Sequence, residues 1–168
     1  MQELLPCLKT SYSEVNLALN KLASKEALLK FEKESSGYYK TWASLMLGKL
    51  ERREPIRTSY PYPIQIWQLG DQTMMMLGGE PVVEYAIELK RIFGQDLFVL
   101  GYSNDVMAYI PSAAVLREGG YEGALSQMAV GLPATWAPDI EIVILSNMIR
   151  VAEQMGIPKI KTDLIQNK

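Results

Sequence analysis

Two apolar segments on either side of Gly70 and Asp71 constrain the fold of this chain more than any other feature of its sequence. The segments, 64–69 and 73–77, have the length of β-strands, and a Gly-Asp pair between two such segments is typical of a tight turn. We therefore expect an antiparallel hairpin. Glu80 then lies just past the end of the second strand, after two glycines.

A helix and a further strand are predicted directly after the hairpin. The segment 81–94 begins with a proline in the first turn of the predicted helix and ends at a glycine. "DLFVLGYSN" at 96–104 indicates a short buried strand that runs into a polar loop. In such a strand, helix, strand unit the two strands can lie parallel, and both would end in candidate site residues, Glu80 and the loop 101–109. The apolar residues on one side of the predicted helix are Val83, Ala86, Ile87 and Ile92.

The whole pattern predicts a mixed α/β (α+β) fold, in which a mixed sheet is flanked by helices. Alternating polar and apolar residues at 11–19 predict a half-exposed strand, and helix formers between Ser24 and Pro55 predict two helices divided near Gly37. The other expected elements are a short helix at 112–120, a loop-rich stretch at 122–138 and a long amphipathic helix that begins near Asp139.

A proline-rich connector at 53–63 marks the main break in organisation along the chain, and we expect it to be extended. The predicted parts are a strand with a helical pair at 1–54, the main segment at 55–158 and a polar tail at 159–168.

Charge and composition exclude several classes of function. The chain carries 17 Lys and Arg against 19 Asp and Glu, and it shows no basic face for nucleic acid. It has no run of about 18 apolar residues, the length that a membrane span requires. Its start, "MQELLPCLKT", lacks the basic-then-apolar order of a signal peptide. Its one cysteine, Cys7, excludes an intrachain disulfide and leaves the compartment open.

The absence of histidine restricts the chemistry further. Histidine is the usual proton shuttle at neutral pH and the commonest metal ligand, so Ser-His and Cys-His nucleophilic schemes are excluded. A zinc site built from this chain alone is also disfavoured. Any catalysis must therefore come from carboxylates, from phenols or from groups outside the chain.

Three residues near the predicted strand ends are candidates for such chemistry. Glu80 is a candidate metal ligand, because a carboxylate after two glycines can approach an ion closely; a glutamate in the first turn of a helix would also favour the helix dipole. Tyr109 and Tyr121 suit a metal ligand and an oxyanion donor, although buried tyrosines with a hydrogen-bonded tip are common in protein cores. Simpler interpretations are packing for the methionines at 74–76, a turn for Asn104 and Asp105, and a surface or helix-start position for Glu122.

The stretch "GYSNDVMAYIPSAAVLREGGYEG" at 101–123, taken with "LGDQTMMMLGGEPVVEYAIELKR" at 69–91, resembles the neutral and alkaline non-lysosomal ceramidase family, in particular its bacterial ceramidase-like members. The resemblance lies in the order and spacing of a Gly-Glu motif, a helix and strand, an Asn-containing loop with a Tyr-Ile pair, and a Tyr-Glu pair after it. It extends over the segment 55–140 and, more loosely, over the residues before it.

The resemblance implies a zinc-dependent amidase that cleaves the amide bond of N-acyl sphingoid bases, with the metal held by two histidines, a glutamate and a tyrosine. Carried over by position, Glu80 corresponds to the glutamate ligand and Tyr109 to the tyrosine ligand. Tyr121 corresponds to a second tyrosine beside the metal, a catalytic residue expected to steady the tetrahedral intermediate. Since the chain has no histidine, the resemblance implies the C-terminal portion of such a catalytic domain, which carries half of the metal site and is inactive alone.

We therefore expect part of a neutral ceramidase-like zinc amide hydrolase. Its expected partners are an N-acyl sphingoid lipid or related amide substrate, and either an N-terminal segment with the two histidines or a second copy bound through exposed apolar surface. The alternative is a non-catalytic binding or assembly module on the same scaffold. Members of the family are often exported or membrane-associated, so the resemblance leaves the compartment open.

Overall fold

The computed structural model describes residues 6–160, so residues 1–5 and 161–168, the latter most of the predicted polar tail, lie outside the described part. A π-helical turn at Tyr121–Leu125 precedes the short fifth helix. The elements are the strands β1 (Leu8–Ala18), β2 (Ser59–Leu69), β3 (Gln72–Leu77), β4 (Glu80–Pro81), β5 (Phe98–Leu100) and β6 (Tyr109–Ile110), and the helices α1 (Lys25–Glu34), α2 (Gly37–Glu51), α3 (Val83–Phe93), α4 (Ala113–Glu118), α5 (Ser126–Ala129) and α6 (Ile140–Gln154).

A four-stranded mixed sheet in the order β1-β2-β3-β5 forms the centre of the fold. β2 pairs antiparallel with β1 and β3, and β3 pairs parallel with β5 across the α3 connection. Leu69 pairs with Gln72, so Gly70 and Asp71 form the predicted two-residue turn. The mixed α/β class, the hairpin and the parallel strand, helix, strand unit are thereby confirmed.

The proline-rich connector is shorter than predicted, because β2 begins at Ser59 and its first residues pair with β1. The N–H of Leu19 donates to Thr58 O at 2.8 Å, so the backbone N–H and C=O groups of the even-numbered residues in this stretch point towards β1. The backbone nitrogens of Pro61 and Pro63 therefore point to the other edge of β2. At these positions β3 does not yet pair with that edge, so no N–H donor is needed.

One face of the sheet is covered by helices. α6 packs against β1 and β2, and α3 packs against α6. Apolar side chains of β2 and β3, among them Ile64, Ile66 and Met75, are fully buried on this face, which confirms the packing interpretation for this methionine. A second, smaller cluster joins α1 and α2 to α5, and its members are Leu28, Trp42, Ala43, Met46, Leu47 and the half-buried Met128.

The opposite face of the sheet, here called the outer face, includes the alternate side chains Gln65, Trp67, Met74, Met76, Phe98 and Leu100, together with Thr10 and Tyr12 of β1. Trp67, Met74 and Phe98 are direct cross-strand neighbours, and 58% of Phe98 and 40% of Trp67 is exposed. The expectation of a buried third strand at 96–104 is therefore wrong for β5. Its side chains alternate between a covered and an uncovered face, and only Val99 packs on the core.

Two helical predictions also need correction. The predicted apolar side of α3 is exposed at Val83 and Ile87, and the buried residues of this helix are Tyr85 and Leu89. The stretch 122–138 is partly helical instead of loop-rich, because α5 packs against α2. Within residues 6–160, no helix has the length and apolar character needed to cross a membrane.

Candidate functional site

The carboxyl ends of the parallel strands β3 and β5 lie side by side, and the candidate residues follow them. After β3 the chain passes through two glycines into β4, which pairs in parallel with β6 so that Glu80 is directly opposite Tyr109. The N–H of Glu80 donates to Ala108 O at 2.8 Å. Backbone hydrogen bonds therefore set Glu80 beside Tyr109, although the whole crossover through α3 and β5 separates them in sequence.

Pro81 belongs to β4 and not to the first turn of the helix, because α3 begins at Val83. The expectation that Pro81 opens the helix is wrong, and Glu80 is not in a first helical turn where it would favour the dipole. The pairing of Pro81 with Ile110 in the small sheet explains the difference.

Gly79 makes this arrangement possible. Its φ is +64°, in the left-handed region, and a Cβ on it would lie 2.6 Å from Ala108 O and 2.8 Å from Ile110 Cγ1. Only glycine accepts both the conformation and the close approach of β6. The glycine before Glu80 therefore has a packing role that brings the carboxylate to Tyr109.

The Glu80 carboxylate and three phenols form a connected group of side chains. The Tyr102 hydroxyl donates to Glu80 Oε2 at 2.8 Å. The rings of Tyr109 and Tyr121 meet edge to face, with centroids 5.8 Å apart. Glu80 and Tyr109 are half-buried, whereas 63% of Tyr102 and 52% of Tyr121 is exposed. We call Glu80, Tyr102, Tyr109 and Tyr121 the phenol-carboxylate cluster, and it contains all three candidate residues.

The carboxylate controls the protonation of two of these phenols. A hydrogen bond to Glu80, followed by the charge of that carboxylate, raises the pKa of Tyr109, and Glu122 and Tyr121 raise it further. The hydrogen bond to Glu80 likewise raises the pKa of Tyr102. The Tyr102 hydroxyl therefore remains the donor to Glu80, and the Tyr109 hydroxyl keeps its proton at neutral pH beside the same carboxylate.

Tyr121 is positioned by the π-helical turn that follows α4. A Cβ on Gly123 in this turn would lie 2.3 Å from Val115 O, so the turn rests directly on the backbone of α4. π-Helical turns are rare and occur frequently at functional sites. Glu122 is exposed in the same turn, in agreement with the surface position expected for it.

Tyr102 is the member of the cluster that the sequence analysis missed. It adopts a left-handed conformation with φ +55°, and its N–H donates to Gly79 O at 2.9 Å. The sequence carries no local signal for it, since Tyr102 lies beyond the end of β5 at Leu100 and its left-handed conformation interrupts the strand alternation. The neighbouring Asn104 is also left-handed, which is typical of a turn, and its amide donates to Gln65 Oε1 at 3.0 Å.

Two residues of the cluster, Glu80 and Tyr109, could hold a metal ion. Glu80 and Tyr109 offer one carboxylate and one phenol oxygen on adjacent backbone positions. Within the described residues, no group of three or more His, Cys, Asp and Glu side chains is placed to hold a metal ion. Because protein zinc sites use three or four ligands, these two oxygens suffice only together with donors from elsewhere.

Comparisons of this chain with protein-family models, with curated proteins and with solved structures find no match. What the phenol-carboxylate cluster does is therefore argued from its residues, their geometry and the resemblance in sequence.

Proposed function

We propose that this chain forms part of a zinc-dependent amide hydrolase of the neutral ceramidase type, with an N-acyl sphingoid base or related amide as substrate. Glu80 and Tyr109 bind the metal, and Tyr121 is the catalytic phenol. The observation that carries the proposal is convergence. Glu80 is paired with Tyr109, and the Tyr109 ring contacts Tyr121, in the order that the resemblance implies.

Each residue of the cluster has a distinct task in this proposal. When bound, zinc supplies a water of lowered pKa for attack on the amide carbonyl. Glu80 would offer carboxylate oxygens to the metal and Tyr109 its phenol oxygen as the second ligand, with the phenol proton released to solvent. Tyr102 keeps its hydroxyl on Glu80 Oε2 and holds the orientation of that carboxylate. Tyr121, with its hydroxyl free of any protein partner among residues 6–160, donates to the carbonyl oxygen as negative charge develops.

The outer face indicates where the missing ligands would come from. The loop that holds Tyr102 follows β5, whose Phe98 and Leu100 lie on the outer face, and Asn104 from the same loop bonds to Gln65 on that face. A polypeptide segment that covers Trp67 and Phe98 would therefore also reach the cluster. We infer that such a segment supplies the two histidines that the resemblance implies.

The test is reconstitution of the metal site. The purified chain alone should bind zinc weakly and should not hydrolyse an N-acyl sphingosine, because two ligands are too few. Addition of a ceramidase-type segment that carries two histidines should produce zinc uptake and turnover. In that complex Glu80→Gln and Tyr109→Phe should reduce zinc affinity, whereas Tyr121→Phe should mainly slow hydrolysis.

The matched control is Tyr38→Phe, which alters an exposed phenol on α2 and should leave both measurements unchanged. Tight zinc binding or amidase activity by the chain alone would contradict the proposed ligand set. Zinc uptake that Glu80→Gln leaves intact would remove the cluster from the metal site.

The second candidate is a non-catalytic assembly module, and the outer face favours it. An apolar row in which exposed Trp67 and Phe98 flank half-buried Met74 is typical of a surface that packs against another polypeptide. In that case the chain should self-associate at increasing concentration, and Phe98→Gln should weaken association, while no histidine-bearing segment would confer zinc uptake.

A further inference from the structure

A cavity of about 500 Å³ lies beside the 105–107 loop, and no residue of the phenol-carboxylate cluster lines it. It is bounded by the end of α2, the start of β2, this loop and the segment 130–133. Its size is in the range of small-molecule sites, roughly 300–1,000 Å³. Neither the proposed zinc site nor its outer-face partner uses this cavity.

Two cationic side chains line the cavity, and the charge of one of them, Lys49, also helps to lower the pKa of Glu54 outside the lining. Arg57 and Lys49 both line it, and neither forms an ion pair with a carboxylate within residues 6–160. The Arg57 guanidinium lies over the Tyr60 ring, with Cζ 4.8 Å from the ring centroid. Stacking on an aromatic face restricts the guanidinium while leaving its edge N–H groups available, which suits paired hydrogen bonds to a planar anion.

The single carboxylate in the cavity is already engaged. Asp105 Oδ2 accepts a hydrogen bond from the Tyr60 hydroxyl at 2.8 Å. Burial and that hydrogen bond raise the pKa of Tyr60, so the phenol remains the donor of this pair. With Lys49 and Arg57 opposed only by Asp105, the lining keeps one net positive charge.

Most of the other lining residues are apolar; Met107, Leu132 and Pro133 are buried, whereas Val106 and Val130 are exposed. We propose that this cavity binds a small monocarboxylate, with its carboxylate on the Arg57 edge and Lys49 and its hydrocarbon body against Val106 and Val130. One net positive charge matches a single negative charge, and the apolar wall distinguishes such a ligand from an inorganic anion. This inference does not depend on the zinc proposal.

The test is titration of the isotope-labelled chain with hexanoate, followed by NMR of the backbone amides. Hexanoate should cause saturable shifts at Val106, Met107 and Leu132, and the isosteric neutral amide, hexanamide, should bind at least about tenfold more weakly because charge-assisted hydrogen bonds are lost. Arg57→Gln should weaken hexanoate binding by about tenfold for the same reason. Arg57→Lys should recover only part of this loss, since lysine keeps the charge without the planar fork.

Asp105→Asn is the variant that separates binding from folding. Its amide oxygen can still accept from Tyr60, but the repulsive charge is gone, so hexanoate affinity should rise. A variant that merely damaged the loop would lower it. Lys21→Gln, on an exposed lysine outside the cavity, should have no effect.

Four results would each overturn the inference: no saturable shifts with hexanoate, equal affinity for hexanamide, an unchanged affinity in Arg57→Gln, or inorganic phosphate that binds as tightly as hexanoate. The last result would show that the apolar wall does not contribute to recognition.

Discussion

Two pairs of tyrosines near the small β4-β6 sheet have opposite environments. Tyr62 and Tyr85 are fully buried, and their hydroxyls donate to the backbone carbonyls of Gly78 and Pro111, both at 3.0 Å. Tyr102 and Tyr109 are exposed or half-buried and lie against the Glu80 carboxylate. Gly78 and Pro111, which accept hydrogen bonds from the buried pair, are close in sequence to Glu80 and Tyr109 respectively. The same two short backbone segments therefore contact both pairs.

The difference shows that the partner of a phenol, more than its place in the sequence, decides its role. A backbone carbonyl fixes a buried ring and supports the fold, whereas a carboxylate at the surface leaves the phenol near a charge that a ligand can reach. Substitutions in the buried pair should therefore change stability, and substitutions in the surface pair should change chemistry with little effect on stability.

The largest effect is expected from Tyr85→Ala. Removal of a fully buried aromatic ring should lower the free energy of unfolding by about 3–5 kcal/mol, as measured by denaturant titration. Tyr102→Ala removes the same atoms from the surface pair and should cost far less. Comparable losses for the two variants would break the distinction between the pairs.

Gly79 joins the two regions, and Gly79→Ala should be the next most damaging change. The left-handed conformation and a Cβ only 2.6 Å from Ala108 O should together cost about 2–3 kcal/mol. Gly156→Ala is the matched control, because Gly156 has φ +76° but open space around it, and it should cost about 1 kcal/mol. If the two variants lowered the free energy of unfolding equally in thermal or denaturant unfolding, the close approach of β6 to Gly79 would not contribute to the loss.

Removal of a single hydroxyl gives a smaller and sharper comparison. Tyr62→Phe leaves the buried Gly78 carbonyl without its partner and should lower the free energy of unfolding by about 1–2 kcal/mol. Tyr102→Phe removes a solvent-exposed hydrogen bond and should change it by less than about 0.5 kcal/mol. Denaturant titration of both variants against the wild type decides whether the order holds.

The smallest expected effect is on stability at alkaline pH. The pKa of Tyr102 and of Tyr109 is raised in the folded chain, so their contribution is present below the ordinary phenol pKa of about 10 and is lost as pH rises through the folded values. Glu80→Gln removes the charge that raises both pKa values. Its stability should therefore decline less between neutral and alkaline pH than that of the wild type.

The buried pair provides the internal reference for this measurement. Burial raises the pKa of Tyr62 and of Tyr85 as well, and Glu80→Gln leaves that part of the alkaline decline in place. An identical pH dependence in wild type and Glu80→Gln would mean that Glu80 does not interact with its phenols in solution.

Local patterns predicted the scaffold of this site, whereas tertiary packing decided what surrounds it. The turn at Gly70 and the alternation in β1 and β3 depend on neighbours in sequence, and they were predictable for that reason. Alternation shows that β5 has two faces, but it does not show that the face with Phe98 is exposed. Whether a face is buried depends on another element or another chain that packs on it. Likewise, the packing of α3 against α6 decides that Tyr85 is buried and Val83 is exposed, and α6 is distant in sequence.

The site itself was predictable in part. The expected parallel strand, helix, strand unit placed the ends of β3 and β5 together, and the resemblance in sequence selected Glu80, Tyr109 and Tyr121. Tyr102 was missed because a left-handed tyrosine is uncommon and no local preference predicts it. Its conformation is held by a hydrogen bond to Gly79 O, which forms only once the strands are in place.

The direct pairing of Glu80 with Tyr109 also affects how relatives of this chain could be found. Two short backbone segments fix the carboxylate beside the phenol, so extra residues in the α3-β5 crossover would lengthen the gap between them without separating them in space. Insertions there should be tolerated by evolution, and a sequence signature with a fixed Glu-to-Tyr spacing would miss such homologues. A search with two independent local patterns, one around the Gly-Gly-Glu turn and one around the Tyr-Ile pair, joined by a gap of variable length, would retain them.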